Sequence, residues 1–249
     1  MGLVRMNLLV TVGACIAVMG ALVTTATGGA TVVPALVRIR MAPGLTDAAG
    51  TAHFVSDVRL WVVTGTRHGS FVDSVGDVVF AGPDVSLVNR VTSTSTADAP
   101  VSAQIAIGRT YYIRYIDPSA PASGAWSRGT TRQPYDYLGV VGPARLATYR
   151  GPVRTLGMTT VQGRPVTEYA LPIPGSMNTV PLPGGRTHHI VVRPFTEDVW
   201  LDRSGRIVRT AAVTVEADDG RTVAGRTMVT LSRFGESIHI MAPRPVIPS

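Results

Sequence analysis

The sequence predicts a mainly β fold, an antiparallel arrangement of strands joined by tight turns and accompanied by few helices. From residue 53 onward, apolar and polar residues alternate with a period of two in one segment after another. Glycine and proline pairs separate these segments, as expected of turns. The 249 residues are 45% hydrophobic and only 16% charged, which argues against disorder and suits one β-rich domain. We assign that domain to residues 31–249.

The first 30 residues have the features of an export signal or a membrane anchor. The segment MGLVRMNLLVTVGACIAVMGALVTTATGGA begins with one positive charge, Arg5, and continues with an uncharged, mostly apolar run from Leu8 to Val23. Small and polar residues follow, and the run is short for a membrane span. We expect residues 1–30 to be cleaved near Ala26–Ala30 or kept as an anchor, which places the domain outside the cytoplasm, anchored or secreted.

The single cysteine, Cys15, is a candidate lipidation site. It ends the tetrapeptide VGAC, which resembles a bacterial lipobox, in which the cysteine receives a diacylglyceryl group. The stretch IAVMGALV that follows is apolar where lipoproteins usually become polar. A buried cysteine in an ordinary apolar run is therefore the favoured alternative. One cysteine also excludes a disulfide within the chain and a cysteine-based zinc site.

The charge pattern argues against a nucleic-acid partner. The net charge is +7 and all 23 basic residues are arginine. The arginines are scattered singly, and no run combines them with aromatic residues in a known binding motif. A GC-rich genome accounts for the bias toward arginine. A positive net charge would also attract anionic lipid or cell-wall polymer.

Three segments in the first half of the chain predict strands. The segment HFVSDVRLWVV places charged residues on one face and, on the other, Phe54, Val58, Leu60 and Val62. The segments GDVVFAGPDVSLVNRV and VSAQIAIGRTYYIRYID predict further strands, broken at Gly82-Pro83 and at Gly108.

The middle of the chain predicts a short helix, a hairpin and a loop. In QPYDYLGVVGPARLATYRGP, apolar residues have approximate helical spacing, and Pro143 suits a first helical turn. The segment TLGMTTVQGRPVTEYALPIPG predicts a hairpin that turns at Gln162-Gly163. Residues 172–194 contain five prolines and several glycines, so we expect a long surface loop there.

The last third of the chain predicts a β-meander. In EDVWLDRSGRIVR, apolar residues alternate up to a turn in which Gly205 supplies the positive φ of a tight hairpin. Asp218-Asp219-Gly220 predicts the next turn. The segment SRFGESIHIM, with Ile238 and Ile240, predicts the closing strand. We therefore interpret the acidic residues of these turns as scaffold and not as a reaction site.

Four segments, taken in order, resemble the LolA-like lipoprotein fold, and most closely the actinobacterial LppX/LprG group of cell-envelope lipoproteins. They are IGRTYYIRYIDPSAPASGAW, DYLGVVGPARLATYRGPVRTLGMTTVQGRPVTEYAL, EDVWLDRSGRIVRTAAVTV and TMVTLSRFGESIHIMAPRP. The resemblance implies a curved antiparallel half-barrel sheet with short helices on its concave face and an apolar cavity between them. TVVPALVRIRMAPGLTDAAG is a poor match to the implied N-terminal helix, and the proline-rich loop stands where a helical lid is usual.

A cavity of this kind would bind acyl chains. The family resemblance implies a set of residues that face this cavity. They are Val58, Leu60, Val62, Ile105, Ile107, Val213 and Val229. Each buried methylene contributes about 0.8 kcal/mol, so such binding needs few polar contacts. A fully packed core without a void is the alternative for each residue.

The sequence predicts a non-catalytic protein without a cofactor or a metal site. His188-His189 points to opposite sides of an extended chain, and Ser70 near His68 has no third partner at useful spacing. We expect an envelope protein that binds an acylated lipid or a lipoprotein for transport or sensing at the membrane surface. The alternative is a regulatory or interaction module of the same fold with a closed core, which binds a membrane protein.

Overall fold

The computed structural model describes residues 33–62, 69–81, 84–93, 101–116, 125–130, 142–181, 187–218, 221–244 and 246–248. The two helices within them are α1 (Ala35–Asp47) and α2 (Pro143–Ala147). The strands are β1 (Thr51–Val62), β2 (Gly69–Ala81), β3 (Asp84–Ser93), β4 (Val101–Ile107), β5 (Thr110–Ile116), β6 (Trp126–Thr130), β7 (Arg154–Val161), β8 (Arg164–Ile173), β9 (Ser176–Pro181), β10 (Thr187–Val192), β11 (Phe195–Asp202), β12 (Ile207–Asp218), β13 (Arg221–Ser232) and β14 (Val246–Pro248).

All the strands within the described ranges belong to one open sheet. Its order is β14-β6-β5-β4-β3-β2-β1-β13-β12-β11-β8-β7. Two further strands lie off this path: β10 pairs with β12, and β9 pairs with β10. The pairs are antiparallel except β14 with β6. The sheet forms a half-barrel with the two short helices against one side. The predicted mainly β class, with one large antiparallel sheet and few helices, is therefore confirmed.

The sheet has two faces of different character. We call the face that carries α1 and α2 the inner face. It includes Phe54 of β1 and Leu231 of β13, which lie opposite each other and belong to the buried core. Because side chains alternate along a strand, the register assigns every other residue of each strand to this face. The remaining residues form the outer face, which includes Asp57 and Arg226.

Helix α1 forms despite the poor helical pattern of its sequence. It buries Ile39, Ala42, Pro43 and Thr46 against the sheet, with Pro43 inside the helix. The Thr46 hydroxyl accepts a hydrogen bond from the backbone N–H of Ile207 at 2.9 Å and donates one to the Ala42 carbonyl at 2.8 Å. Packing and this bridge to β12 supply the stability that local propensity lacks. The expectation of a poor N-terminal helix is therefore corrected.

The predicted short helix and hairpins are confirmed. Helix α2 begins with Pro143 in its first turn. The hairpin of β7 and β8 turns at Gln162 and Gly163, both with positive φ, as a two-residue type I′ turn requires. Gly205, also with positive φ, lies in the turn between β11 and β12.

The described parts of residues 172–194, which are 172–181 and 187–194, form strands where the prolines suggested a long loop. Strands β9 and β10 pair with each other, and they continue the β8–β11 hairpin past a bend at 174–175 and 193–194. Pro174 and Pro194 lie in that bend, where no ladder hydrogen bond is lost. Pro172 lies past Ala170, the last β8 residue that pairs with β7. The prolines therefore stand where a sheet tolerates them.

The predicted closing strand at SRFGESIHIM is also corrected. Residues 236–243 have no regular secondary structure, and the segment returns to the sheet as β14. Its aromatic residue Phe234 packs against the core. Alternating isoleucines in a segment of eight residues were too weak a pattern to establish pairing. The turn at Asp219 and Gly220 lies outside the described residues, although Asp218 pairs with Arg221.

Candidate ligand-binding surface

The two helices cover one part of the inner face and fill it completely. Ile39 and Ala42 of α1 and Leu146, the buried residue of α2, have no solvent exposure. They pack on the inner residues of the sheet from both halves of the chain: Ala52, Phe54, Val78, Phe80, Ala106, Tyr169, Leu171, Ile173, Val199, Leu201, Ile207, Val229 and Leu231. This part of the molecule is a closed hydrophobic core of ordinary kind.

Beyond this core the inner face carries both apolar and polar residues. On β1 the buried cluster ends at Phe54. Ser56 follows, and the next two inner residues, Val58 and Leu60, are apolar and only half-buried. They lie opposite Thr227 and Gly225 of β13, and Val58 also lies opposite Val72 of β2. We name this surface the inner trough and define it by Val58, Leu60, Val72, Thr214, Val223, Gly225 and Thr227.

The inner trough contains a glycine against which Leu60 packs. A Cβ atom on Gly225 would lie 2.9 Å from Leu60 Cδ2 and 3.4 Å from Thr214 Oγ1. Any side chain at this position would therefore have to displace Leu60. Glycine inside a strand often marks a close approach of another group, and here that group is the neighbouring leucine.

Polar groups are concentrated on the inner face of β11 and β12, at and beside the inner trough. Glu197 and Thr210 are almost fully buried, and Thr214 is 8% exposed. Glu197 lies opposite Ala212 of β12 and Leu171 of β8. Glu197 and Thr210 therefore lie next to the trough and Thr214 lies in it, so the inner face is not uniformly apolar.

A depression lies at the bend of the long hairpin. It is a cleft of about 460 Å³ lined by Pro172, Ile173, Pro174, Pro194, Phe195 and Thr196. A Cβ atom on Gly175 would lie 2.6 Å from the Val192 carbonyl oxygen, so the bend brings two backbones close together. The Tyr149 hydroxyl donates to the Pro172 carbonyl at 2.8 Å and fixes the segment after α2 beside the bend.

The outer face is charged along its central strands. Arg59 donates hydrogen bonds to both carboxylate oxygens of Asp57 and lies 3.9 Å from Asp73. The hydrogen bond from Arg59 lowers the pKa of Asp57 below its ordinary value. Further along, the Arg209 guanidinium lies 5.8 Å from the centre of the Trp200 ring. An acyl chain placed on this face would have to cover charged groups, which burial disfavours.

A carboxyl group on the outer face has an unusual environment. Burial raises the pKa of Asp198 above its ordinary value, and the nearby Glu168 carboxylate raises it further, against an opposing effect of Arg154. Asp198 lies opposite Ala170 and Ala211, between two neighbouring strands. We therefore interpret Asp198 as a group whose ionisation affects the stability of the fold.

The register divides six of the seven predicted cavity residues between the two faces. Val58, Leu60 and Val229 lie on the inner face, with Val229 already inside the closed core. The side chain of the seventh, Val62, lies outside the described part of the structure. Ile105, Ile107 and Val213 lie on the outer face, and Val213 is 52% exposed. This corrects the expectation that all seven face one cavity. Both sides of β4 and β12 carry apolar residues, so alternation alone could not show which set pointed inward.

The sequence analysis missed several residues of the inner trough. Thr214, Gly225 and Thr227 are not apolar, and Val72 stands in a segment that had no strand assigned to it. The signal that could have found Gly225 is its place between alternating residues of AGRTMVTL, where a glycine is unusual. Cys15 and His68 lie outside the described residues.

The described residues contain neither a membrane-spanning helix nor a cluster of metal ligands. No helix in that part of the chain is both long and apolar enough to cross a bilayer. No group of three or more His, Cys, Asp and Glu side chains there could hold a metal ion.

Comparison with solved structures finds similar folds at low sequence identity. The Mycobacterium tuberculosis lipoprotein LppX matches with a TM-score of 0.47 and 16% identity, over 83% of this chain and 97% of that one. LprF from Mycobacterium bovis matches with a TM-score of 0.41 and 14% identity, over 84% of this chain and 96% of that one. The LolA superfamily protein NE2245 from Nitrosomonas europaea matches with a TM-score of 0.27 and 12% identity, over 79% of this chain and 93% of that one. At these values the likeness concerns the fold alone.

No protein-family model matches the sequence, and no curated protein matches it.

Proposed function

We propose that this protein binds an acyl chain of a lipid or a lipoprotein in the inner trough, outside the cytoplasm, for transport or sensing at the cell envelope. The observation that carries the proposal is the unequal covering of the inner face. Helices α1 and α2 bury the part that includes Phe54 and Leu231, while Val58 and Leu60 on the same face stay half-buried. An alkyl chain laid along them would complete the burial.

Simple energetics supports an apolar ligand. Each methylene removed from water contributes about 0.8 kcal/mol, so ten buried methylenes would contribute about 8 kcal/mol before the cost of association. That sum corresponds to a dissociation constant no tighter than about micromolar. Reversible binding of this strength suits a protein that passes its ligand on. No charged group of the trough itself is needed for it.

The first test is chemical extraction of the purified protein. The full chain is purified from its native host, extracted into organic solvent and analysed by mass spectrometry. We expect acyl lipids in the extract, in amounts comparable to the protein. An extract without acyl lipid, from protein whose fold is intact by circular dichroism, would contradict the proposal.

A matched pair of valine substitutions locates the bound chain. Val58→Asp places a carboxylate in the inner trough, whereas Val213→Asp places the same group on the outer face, where the valine is already 52% exposed. We expect Val58→Asp to reduce the bound lipid by at least about tenfold, which corresponds to 1.4 kcal/mol. Val213→Asp should leave it unchanged. Equal loss in both variants would argue against the trough.

The regulatory module with a closed core remains the second candidate. The observation in its favour is the complete filling of the space between α1 and the sheet, where Ile39, Ala42 and Leu146 have no exposure. This candidate predicts an extract free of acyl lipid and a membrane protein that co-purifies in fixed ratio. The extraction experiment therefore separates the two candidates.

A further inference from the structure

Helix α1 is apolar on two opposite sides. One side packs into the core through Ile39, Ala42, Pro43 and Thr46. The opposite side carries an apolar row at intervals of four residues, which begins two residues before the helix and which we name the α1 stripe: Val33, Val37, Met41 and Leu45. The exposed fractions of these residues are 39%, 41%, 53% and 36%. A helix on the surface of a soluble domain usually has polar residues on that side.

The charges of α1 border the stripe. On a helix with 3.6 residues per turn, Arg38 lies on one side of the stripe and Arg40 on the other. The Arg38 Nε atom donates to the Val33 carbonyl and the Arg40 Nε atom to the Ala147 carbonyl, both at 3.3 Å. These bonds hold both side chains beside the stripe. The helix contains one acid, Asp47, which is its last residue.

We propose that the α1 stripe lies on the surface of a membrane that contains anionic lipid. An apolar row bordered by arginines is complementary to a bilayer surface, where acyl chains lie beneath phosphate groups. The apolar residues enter the upper acyl region while the guanidinium groups stay at the phosphates. Each arginine near an anionic surface contributes roughly 1 kcal/mol. The net charge of +7 acts in the same direction.

The position of α1 in the chain agrees with this occupant. The apolar run from Leu8 to Val23 ends shortly before Val33. The residues between them can span at most about 30 Å even when fully extended. A membrane-inserted run would therefore hold the stripe near the bilayer. The inference is independent of the lipid proposed for the inner trough, because the stripe and the trough share no residue.

Methionine oxidation in the full chain tests the proposal without a probe label. Met41 belongs to the stripe, whereas Met158 on β7 and Met241 near the C-terminus are 74% and 67% exposed and serve as internal controls. The protein is reconstituted on vesicles of phosphatidylcholine alone or mixed with phosphatidylglycerol, treated with peroxide and analysed by peptide mass spectrometry. We expect the mixed vesicles to slow oxidation of Met41 by roughly threefold or more relative to both controls.

Variants make the outcome specific. Val37→Asp should abolish the protection of Met41, whereas Val191→Asp, at a valine of 43% exposure on β10, should leave it intact. Arg38→Gln combined with Arg40→Gln should remove the difference between the two vesicle types. None of these changes should alter the acyl lipid extracted from the protein, which separates this proposal from the one on the inner trough.

Two outcomes would overturn the membrane proposal. The first is oxidation of Met41 on mixed vesicles as fast as that of both controls. Protection that needs no vesicles and increases with protein concentration would also overturn it, in favour of a second copy of the chain.

Discussion

At the scale of single residues, two glycines close to α1 have opposite roles. Gly205 in the β11–β12 turn has a φ of +79°, and a Cβ atom there would lie 2.8 Å from Leu45 Cδ1 of the helix. Gly44 lies inside α1, and a Cβ atom on it would meet nothing within 4 Å. The same substitution should therefore change stability in opposite directions at the two positions.

We expect Gly205→Ala to lower the free energy of unfolding by about 1–2 kcal/mol, because alanine is strained at positive φ and would press on Leu45. Gly44→Ala should raise it by roughly 0.5–1 kcal/mol, since alanine is the better helix former. Urea denaturation of the two variants measures both effects. A loss of stability in Gly44→Ala would show that α1 is not a regular helix at this residue.

The environment of Asp198 predicts a pH dependence. Its pKa is raised chiefly by burial, so the folded state binds the proton more tightly than the unfolded state. Ionisation of this carboxyl therefore opposes folding at any pH above the raised value. The penalty disappears as the pH falls below the ordinary value for aspartate.

Replacement of this carboxyl by a neutral amide should relieve the penalty. We expect Asp198→Asn to raise the melting temperature at pH 7 and to lose this advantage in acid, where the native aspartate is protonated. Thermal unfolding of both proteins across a pH series measures the difference. A stabilisation that is independent of pH would point to hydrogen bonding of the amide and not to charge.

At the scale of elements, α1 shows how packing overrides propensity. Its sequence contains Pro43 and Gly44, which are poor helix formers, and it was expected to be a weak helix for that reason. What the local pattern could not show is that Thr46 supplies a hydrogen-bond acceptor to Ile207, far away in the sequence. Long-range contacts of this kind have no signature in the helix itself.

This bridge between α1 and β12 gives an element-scale prediction. Thr46→Val keeps the shape of the side chain but leaves the buried Ile207 N–H without its acceptor. Such a group costs roughly 1–3 kcal/mol, and we expect the free energy of unfolding to fall by that amount. Faster hydrogen exchange at the Ile207 amide would identify the cause. Unchanged exchange there would mean that another acceptor replaces the hydroxyl.

The bent hairpin was missed for a related physical reason. Proline forbids central strands, and its frequency in residues 172–194 therefore predicted a loop. The structure places Pro174 and Pro194 at a shared bend and pairs the residues beyond it, Ser176 with Val192 for example. Whether a proline removes a hydrogen bond of the sheet depends on the pairing of its strand, which the local sequence does not show. By contrast, the Gln162-Gly163 turn was predictable because its requirement for positive φ is local.

At the scale of the whole molecule, the sequence predicted the sheet but not which face of every strand is covered. On β1 the polar residues Asp57 and Arg59 mark the outer face, and Val58 and Leu60 lie on the inner one. On β4 the apolar residues Ile105 and Ile107 lie on the outer face, so the apolar set of this strand pointed to the wrong face. Val213 of β12 also lies on the outer face. A one-residue error reverses the face of a side chain, because the period of a strand is two.

The central claim is that an acyl chain completes the inner face where the helices end. A lipid with a photoactivatable diazirine on its acyl chain tests this most directly, with crosslinked residues located by tandem mass spectrometry. We predict crosslinks at inner-face residues of the trough, such as Val58, Leu60 and Thr227. Crosslinks confined to the outer face, at residues such as Val213 or Arg226, or spread equally over both faces, would contradict the account.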